Sequence, residues 1–170
     1  VAQKLPNAWS LYDMHGNLWE WCNDWYASYG GAVTDPVGPG AGSGRVLRGG
    51  SWFSYARGCR SARRNSHNPA GSDGSFGFRS VRSDSANLDD FVYVAPGTFT
   101  MGSPLSEPGR SADETQHQVI LTHGIYVQST EVMNQQYMEM AQWAYDQGFA
   151  TATITSLRDN LDGSTQEFLE

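Results

Sequence analysis

Glycine and large aromatic residues recur side by side in this chain, and that pairing sets the kind of fold it can adopt. The clearest cases are Gly16-Asn17-Leu18-Trp19-Glu20-Trp21, Arg48-Gly49-Gly50-Ser51-Trp52 and Gly77-Phe78-Arg79. Pro96-Gly97-Thr98-Phe99-Thr100-Met101-Gly102-Ser103 follows the same habit further along. With 19 Gly, six Trp and eight Tyr in 170 residues, the composition suits short strands and ordered loops better than a helix bundle. The length fits one ordinary domain. No apolar run approaches the roughly 18 residues needed to cross a bilayer, and no signal peptide is visible at Val1.

Patterning along the chain places the elements. Leu18 to Asp24 alternates as a short strand with Trp19 and Trp21 facing a core. Residues 29–44 are Gly, Pro, Ser and Asp punctuation, hence loop. Val46-Leu47 and Gly58 to Arg64 read as strands, and Phe76 to Val81 as a closing strand. Phe91 to Val94 and Thr98 to Met101 flank Pro96-Gly97 as a hairpin. His117 to Thr122 and Ile125 to Gln128 form a second hairpin around His123-Gly124. One convincing helix runs from about Asn134 to Gln147, with Tyr137, Met140, Ala141 and Ala144 on a common face. Gly148 caps its end.

Charge divides the chain unevenly. Residues 1–83 hold nine Lys/Arg against five Asp/Glu, net +4, while residues 84–170 hold two against thirteen, net −11. A basic half can signal nucleic acid, but no nucleic-acid motif accompanies these arginines. Arg-rich and acidic segments pairing within one folded unit is the preferred reading. Cys22 and Cys59 are the only cysteines, and they form no Cys-x-x-Cys pair, so a structural zinc site is not expected. Two buried free thiols are the default, with one disulfide as the alternative in an oxidising compartment. The four histidines, His15, His67, His117 and His123, show no metal or triad spacing.

Taken together with Glu131-Val132-Met133-Asn134-Gln135-Gln136-Tyr137, these motifs resemble the formylglycine-generating enzyme family, the sulfatase-modifying factors. The resemblance implies an α+β, C-type-lectin-like formylglycine-generating-enzyme fold, loop-rich, with short antiparallel strands and one clear helix. In that family the Pro96 and Glu131 motifs open the domain and the Gly16 to Arg79 motifs end it. Here the order is reversed. Residues 1–83 therefore resemble the C-terminal portion of one such domain, 84–90 a linker, and 91–170 the N-terminal portion of a second, or of a permuted one. A middle helical portion of the Arg-Leu-Pro-Thr-Glu-Ala-Glu-Trp-Glu-Tyr kind has no counterpart. The family usually has Thr at the helix-capping position held here by Met133, which cannot accept from orphan N–H groups; Asn134 is expected to take over, with Gln136 placed for a capping box.

The resemblance also implies chemistry. The family's enzymes oxidise a sulfatase cysteine with oxygen and a copper ion held by two thiolates, a soft-ligand pairing suited to Cu(I). Ser54 stands at the first thiolate position, and Cys59 is a doubtful second. Copper and formylglycine generation are therefore not expected in this chain, and a sulfatase peptide would be a partner only through another, active domain that retains both cysteines. Calcium is the other ion implied, through Asn17, the Leu18 carbonyl and Glu20, which are hard oxygen donors. The plainer alternative is that Asn17 supplies a left-handed turn and Glu20 pairs with a buried Arg such as Arg60 or Arg64.

The segment from Trp52 to Phe78 is also similar to the hypervariable proteins of diversity-generating retroelements. That similarity implies a ligand-binding surface at Phe53, Tyr55, Arg63, Asn65, His67 and Phe76, residue types that adaptable binding surfaces favour. The resulting expectation is a binding or accessory module, with an unidentified protein or small ligand as partner, no nucleic acid and no membrane span. An extracytoplasmic location is favoured.

Overall fold

The strand pairings join the basic first half of the chain to the acidic second half, and they do so in two separate sheets. The structure is a computed structural model, and it describes residues 1–83, 89–148, 150–152 and 157–159. Strands are β1 Trp19–Trp25, β2 Val33–Thr34, β3 Arg45–Arg48, β4 Asn65–His67, β5 Phe76–Gly77 and β6 Val81–Arg82 in the first half. Then come β7 Phe91–Val94, β8 Gly97–Met101, β9 His117–Leu121 and β10 Ile125–Gln128, the helix α1 Asn134–Asp146, and β11 Ala150–Ala152 with β12 Leu157–Asp159. The result is α+β and loop-rich, in keeping with the fold the motifs imply. Val1–Glu131 and Val132–Glu170 form separate compact units.

In the first unit one sheet has the order β4-β3-β1-β5, a second β6-β10-β7, and a third β2-β9-β8. Most pairings are antiparallel, but β1 with β5 and β2 with β9 run parallel. Val33 lies opposite Val119, and Val81 opposite Val127. Residues 1–83 thus contribute strands to both sheets built around residues 91–131. The apolar core is small: Leu11, Trp19, Val46, Leu47, Ala62 and Val119 are buried. Fully burying one such aliphatic side chain contributes about 1.5–3 kcal/mol. Ser51, Arg64, Arg79, Ser103, Glu114, Gln128 and Glu131 are buried beside them, so hydrogen-bonded ion pairs make up much of this interior.

Several sequence expectations need correction. Gly58 to Arg64 is not a strand: Ala56–Cys59 is a 3-10 turn, followed by a turn closed by Arg63 N–H to Arg60 O at 3.0 Å. Strand pairing with Val46 and Leu47 passes instead to Ser66 and Asn65. The 29–44 loop contains the short β2. The closing strand is broken into β5 and β6 around Arg79, whose guanidinium is used in an interior network.

Neither expected hairpin forms. β7 pairs with β10, and β8 with β9. Two-residue hairpins want turns with positive φ at a central residue. Gly97 and Gly124 are both absent from the positive-φ residues, and Pro96 has no N–H to give to a ladder. The chain therefore changes sheet at both points rather than folding back.

The second unit contains α1 and the antiparallel pair β11 with β12. Met133 occupies the N-cap position in extended geometry, and its N–H donates to Gln136 Oε1 at 2.9 Å. Gln136 thus supplies its half of the capping box, and Asn134 is already helical rather than the cap. Ala141 is buried with Ala144 packed on it, whereas Met140, expected on the same face, is 52% exposed. Gly148 takes φ +76 just past the helix end, the left-handed closure glycine permits without a Cβ clash.

Candidate functional site

The tight turn ahead of β1 is built on left-handed backbone, with Gly16 at φ +98 and Asn17 at φ +62. Asn tolerates this region better than most residues. The Asn17 carbonyl accepts from Trp52 N–H at 2.8 Å, tying the Gly16 motif to the Gly-Gly-Ser-Trp motif. Its side-chain amide donates to Glu131 Oε1 at 2.9 Å. Glu20 pairs with Arg79, through Nη2 at 2.8 Å and Nε at 3.2 Å. Arg79 also donates to the carbonyls of Tyr12, Gln128 and Ser129 at 2.7–2.9 Å. The partner of Glu20 is therefore Arg79, not Arg60 or Arg64.

Glu131 is fully buried, and its Oε2 has no hydrogen-bond partner, lying 3.8 Å from Arg79 Nη2. Burial pushes its carboxyl above the usual range; the Asn17 hydrogen bond opposes this, Glu20 reinforces it and Arg79 opposes it.

Two of the three residues expected to hold calcium, Asn17 and Glu20, are engaged with protein partners. The Glu20 carboxylate is held by a guanidinium fork, Asn17 directs an amide N–H into the network, and the Leu18 carbonyl lies against Gly49, 3.6 Å from where a Cβ would stand. Among the described residues no group of three His, Cys, Asp or Glu is placed to hold a metal.

Ser54 lies in the tight loop after Gly50-Ser51. Its Oγ accepts from Ser51 N–H at 3.1 Å, and its own N–H donates to Ser51 O at 2.9 Å. Ser54 lines an open cavity of about 450 Å³ together with Trp19, Tyr55, Arg57, Arg63 and Arg110. Cys59 packs against Gly50, whose missing Cβ would stand 2.7 Å from its Sγ. Cys59 O accepts from His15 Nδ1 at 2.7 Å. Both cysteines are free and half-buried. Burial pushes the Cys22 thiol up to about 11, with Arg48 opposing and Asp24 and Glu20 adding to the rise, so it stays protonated at neutral pH.

The expected ligand surface divides. Tyr55 and Arg63 line the Ser54 cavity. Phe53 and Tyr55 are each 81% exposed, and Phe53 stacks edge-on against Trp52. His67 and Phe76 form a different group with Trp21, ring centroids 5.1–6.3 Å apart. Asn65 is exposed on β4, its side chain accepting from Ser66 N–H. Arg57, Arg110 and Ser111 were not singled out by the sequence. Only their position beside Ser54 marks them, because residues 109–111 are about fifty positions away in the chain.

Two further arginines of the first half, Arg60 and Arg64, meet carboxylates of the second. Arg60 holds Glu114 and Glu107, Arg64 holds Asp113 at 3.4 Å, and Arg64 also stacks 3.7 Å over the Tyr29 ring. This is the pairing the +4 and −11 halves suggest.

With this geometry the class is clear: an α+β, loop-rich domain built on the Gly16 and Gly-Gly-Ser-Trp motifs. Residues 1–84 match the family described as sulfatase-modifying factor enzyme 1-like domain. It is 48% identical over 85 residues to a formylglycine-generating enzyme of Streptomyces coelicolor, covering 46% of this chain and 27% of that protein. It is 41% identical over 87 residues to the serine/threonine-protein kinase pkn1 of Chlamydia pneumoniae, covering 48% of this chain and 14% of that protein. The Bos taurus formylglycine-generating enzyme is 38% identical over 79 residues, 44% of this chain and 21% of that one. The chain thus spans about a quarter or less of the length of these relatives. Among solved structures, the Treponema denticola variable protein 1 is 43% identical over 46% of this chain and 29% of its own, at a TM-score of 0.45. Among the described residues no helix is long and apolar enough to cross a membrane.

Proposed function

We propose that this chain carries a sulfatase-modifying-factor-like domain that does not generate formylglycine and serves as a binding or accessory module. The observation that carries the reading is Ser54. The family resemblance sets a copper-binding thiolate at this position, and the Ser54 hydroxyl accepts from the backbone N–H of Ser51. A serine hydroxyl is a hard, protonated group at neutral pH and cannot replace a soft thiolate for Cu(I). Cys22, held as a thiol by burial, is no substitute.

The exposed aromatic pair Phe53 and Tyr55, at the rim of the Ser54 loop, supports binding as the role. Aromatic side chains offer large contact area at low entropic cost. The match to proteins named as serine/threonine-protein kinases also supports it, since the matched segment is 14% of a protein named for another activity. The tail-before-head order is read as the end of one such domain followed by the start of the next. The strand pairs β2–β9 and β6–β10 favour the alternative to that reading, a permuted domain whose two segments complete one another.

The test incubates the purified chain with copper, oxygen and a peptide bearing a sulfatase motif, and follows the peptide by mass spectrometry. No aldehyde is expected. Catalytic conversion to formylglycine would overturn the reading.

A further inference from the structure

Three arginines converge on the cavity beside Ser54. Arg57, Arg63 and Arg110 line it, and no Asp or Glu does. Arg63 Nη1 donates to Ser111 Oγ at 2.7 Å, and Arg110 Nε donates to the Ser103 carbonyl at 3.2 Å. The exposed Arg57 guanidinium sits 6.0 Å from the centre of the Tyr55 ring. Among the described residues none of the three has a carboxylate oxygen within 4.0 Å, whereas Arg60, Arg64 and Arg79 all do. The nearby Glu107 and Glu114 are committed to Arg60, and Arg63 influences Asp113 only through space.

Like charges gathered in one concavity repel, and the field they focus attracts an anion. Guanidinium forks match the geometry of phosphate and sulfate oxygens, to which they bond in pairs. Ser54 and Ser111 line the same wall. A cavity of about 450 Å³ is within the range of small-ligand sites. A second cavity of similar size, beside Tyr29, differs: Asp24 lines it together with Arg48 and Arg64, and Arg64 is already bonded to Asp113.

We infer that the Ser54 cavity binds a tetrahedral oxyanion, the phosphate or sulfate group of a larger ligand, held by Arg57, Arg63 and Arg110. This rests on the binding-module reading and names the chemistry of its ligand. Phe53 and Tyr55 then offer aromatic surface for the part of the ligand that carries the anion.

Thermal melts and isothermal titration of the 170-residue chain test it, using inorganic phosphate, inorganic sulfate and, at matched ionic strength, chloride and acetate. Phosphate or sulfate should raise the melting temperature where chloride and acetate do not, and the more effective of the two identifies the group. Arg63→Gln should weaken this binding about tenfold or more, a loss typical of a charge-assisted contact. Arg57→Gln should do the same, and its exposed position leaves the fold intact. Equal responses to all four anions, or an Arg57→Gln chain that binds like the wild type, would overturn the inference. Such a failure without formylglycine turnover removes the oxyanion alone; turnover removes the module reading beneath it.

Discussion

Arg60 and Glu114 meet as a two-pronged ion pair, Nη2 to Oε1 at 2.7 Å and Nη1 to Oε2 at 2.9 Å, with the Glu114 side chain fully buried. Ser103 Oγ donates to the same carboxylate at 2.8 Å. Fifty-four residues separate the partners, so the pair ties the Arg-rich half of the chain to the acidic half.

Removing Glu114 leaves the largely buried Arg60 with Glu107 as its remaining carboxylate. Glu114→Ala is expected to cost about 2–3 kcal/mol, the loss of charge-assisted hydrogen bonds, read as a lower urea midpoint. Burial alone would raise the Glu114 carboxyl, but the hydrogen bonds from Arg60 and Ser103 and the Arg60 charge outweigh it and hold it below the usual range. A depressed folded pKa gives stability that is present above the unfolded value and lost as pH falls through the folded one. The alanine chain should therefore lose less stability than the wild type on acidification.

Glu131 has the opposite sign. Its carboxyl is raised chiefly by burial, so the folded state keeps a proton that the unfolded chain has released. Stability from this group is greatest below the unfolded pKa and falls as pH rises through the folded one. Glu131→Gln keeps an oxygen for Asn17 and removes the titration. Melts from pH 4 to 8 should show the variant gaining on the wild type as pH rises. A constant difference across that range would mean that the Glu131 carboxyl titrates alike in the folded and the unfolded chain.

Gly50 is a position where an alanine has no room. Its φ is +76, and an added Cβ would stand 2.7 Å from Cys59 Sγ and 3.0 Å from the Gly58 carbonyl. The left-handed backbone costs a non-glycine residue about 1–2 kcal/mol, and crowding a packed site costs about 1–3 kcal/mol more. Gly50→Ala should lower the unfolding free energy by a sum of that order. Gly30→Ala, with nothing within 4 Å, serves as the control and should change little.

Calcium would have to displace Arg79 from Glu20 to reach the oxygens of the Gly16 turn. Millimolar calcium is therefore expected to leave the melting temperature unchanged. A rise that Asn17→Ala abolishes would instead establish Asn17, the Leu18 carbonyl and Glu20 as a calcium site.

The sequence by itself determined the parts. Local chemistry located β1, β3, the strands from β7 to β10, the helix at Asn134–Asp146 and its Gly148 closure, because side-chain alternation, helical spacing and glycine's conformational freedom are properties of neighbouring residues. It also identified the family motifs and the serine at position 54. Tertiary structure decided the partners. Sheet ladders and ion pairs are contracts between residues far apart in sequence, and no local pattern names the second party. Hence β7 joined β10 rather than β8, Glu20 found Arg79 rather than Arg60 or Arg64, and Arg57, Arg63 and Arg110 met at one cavity beside Ser54. The sequence marked Ser54, Tyr55 and Arg63 but not Arg57 or Arg110, because their convergence depends on how the chain closes on itself.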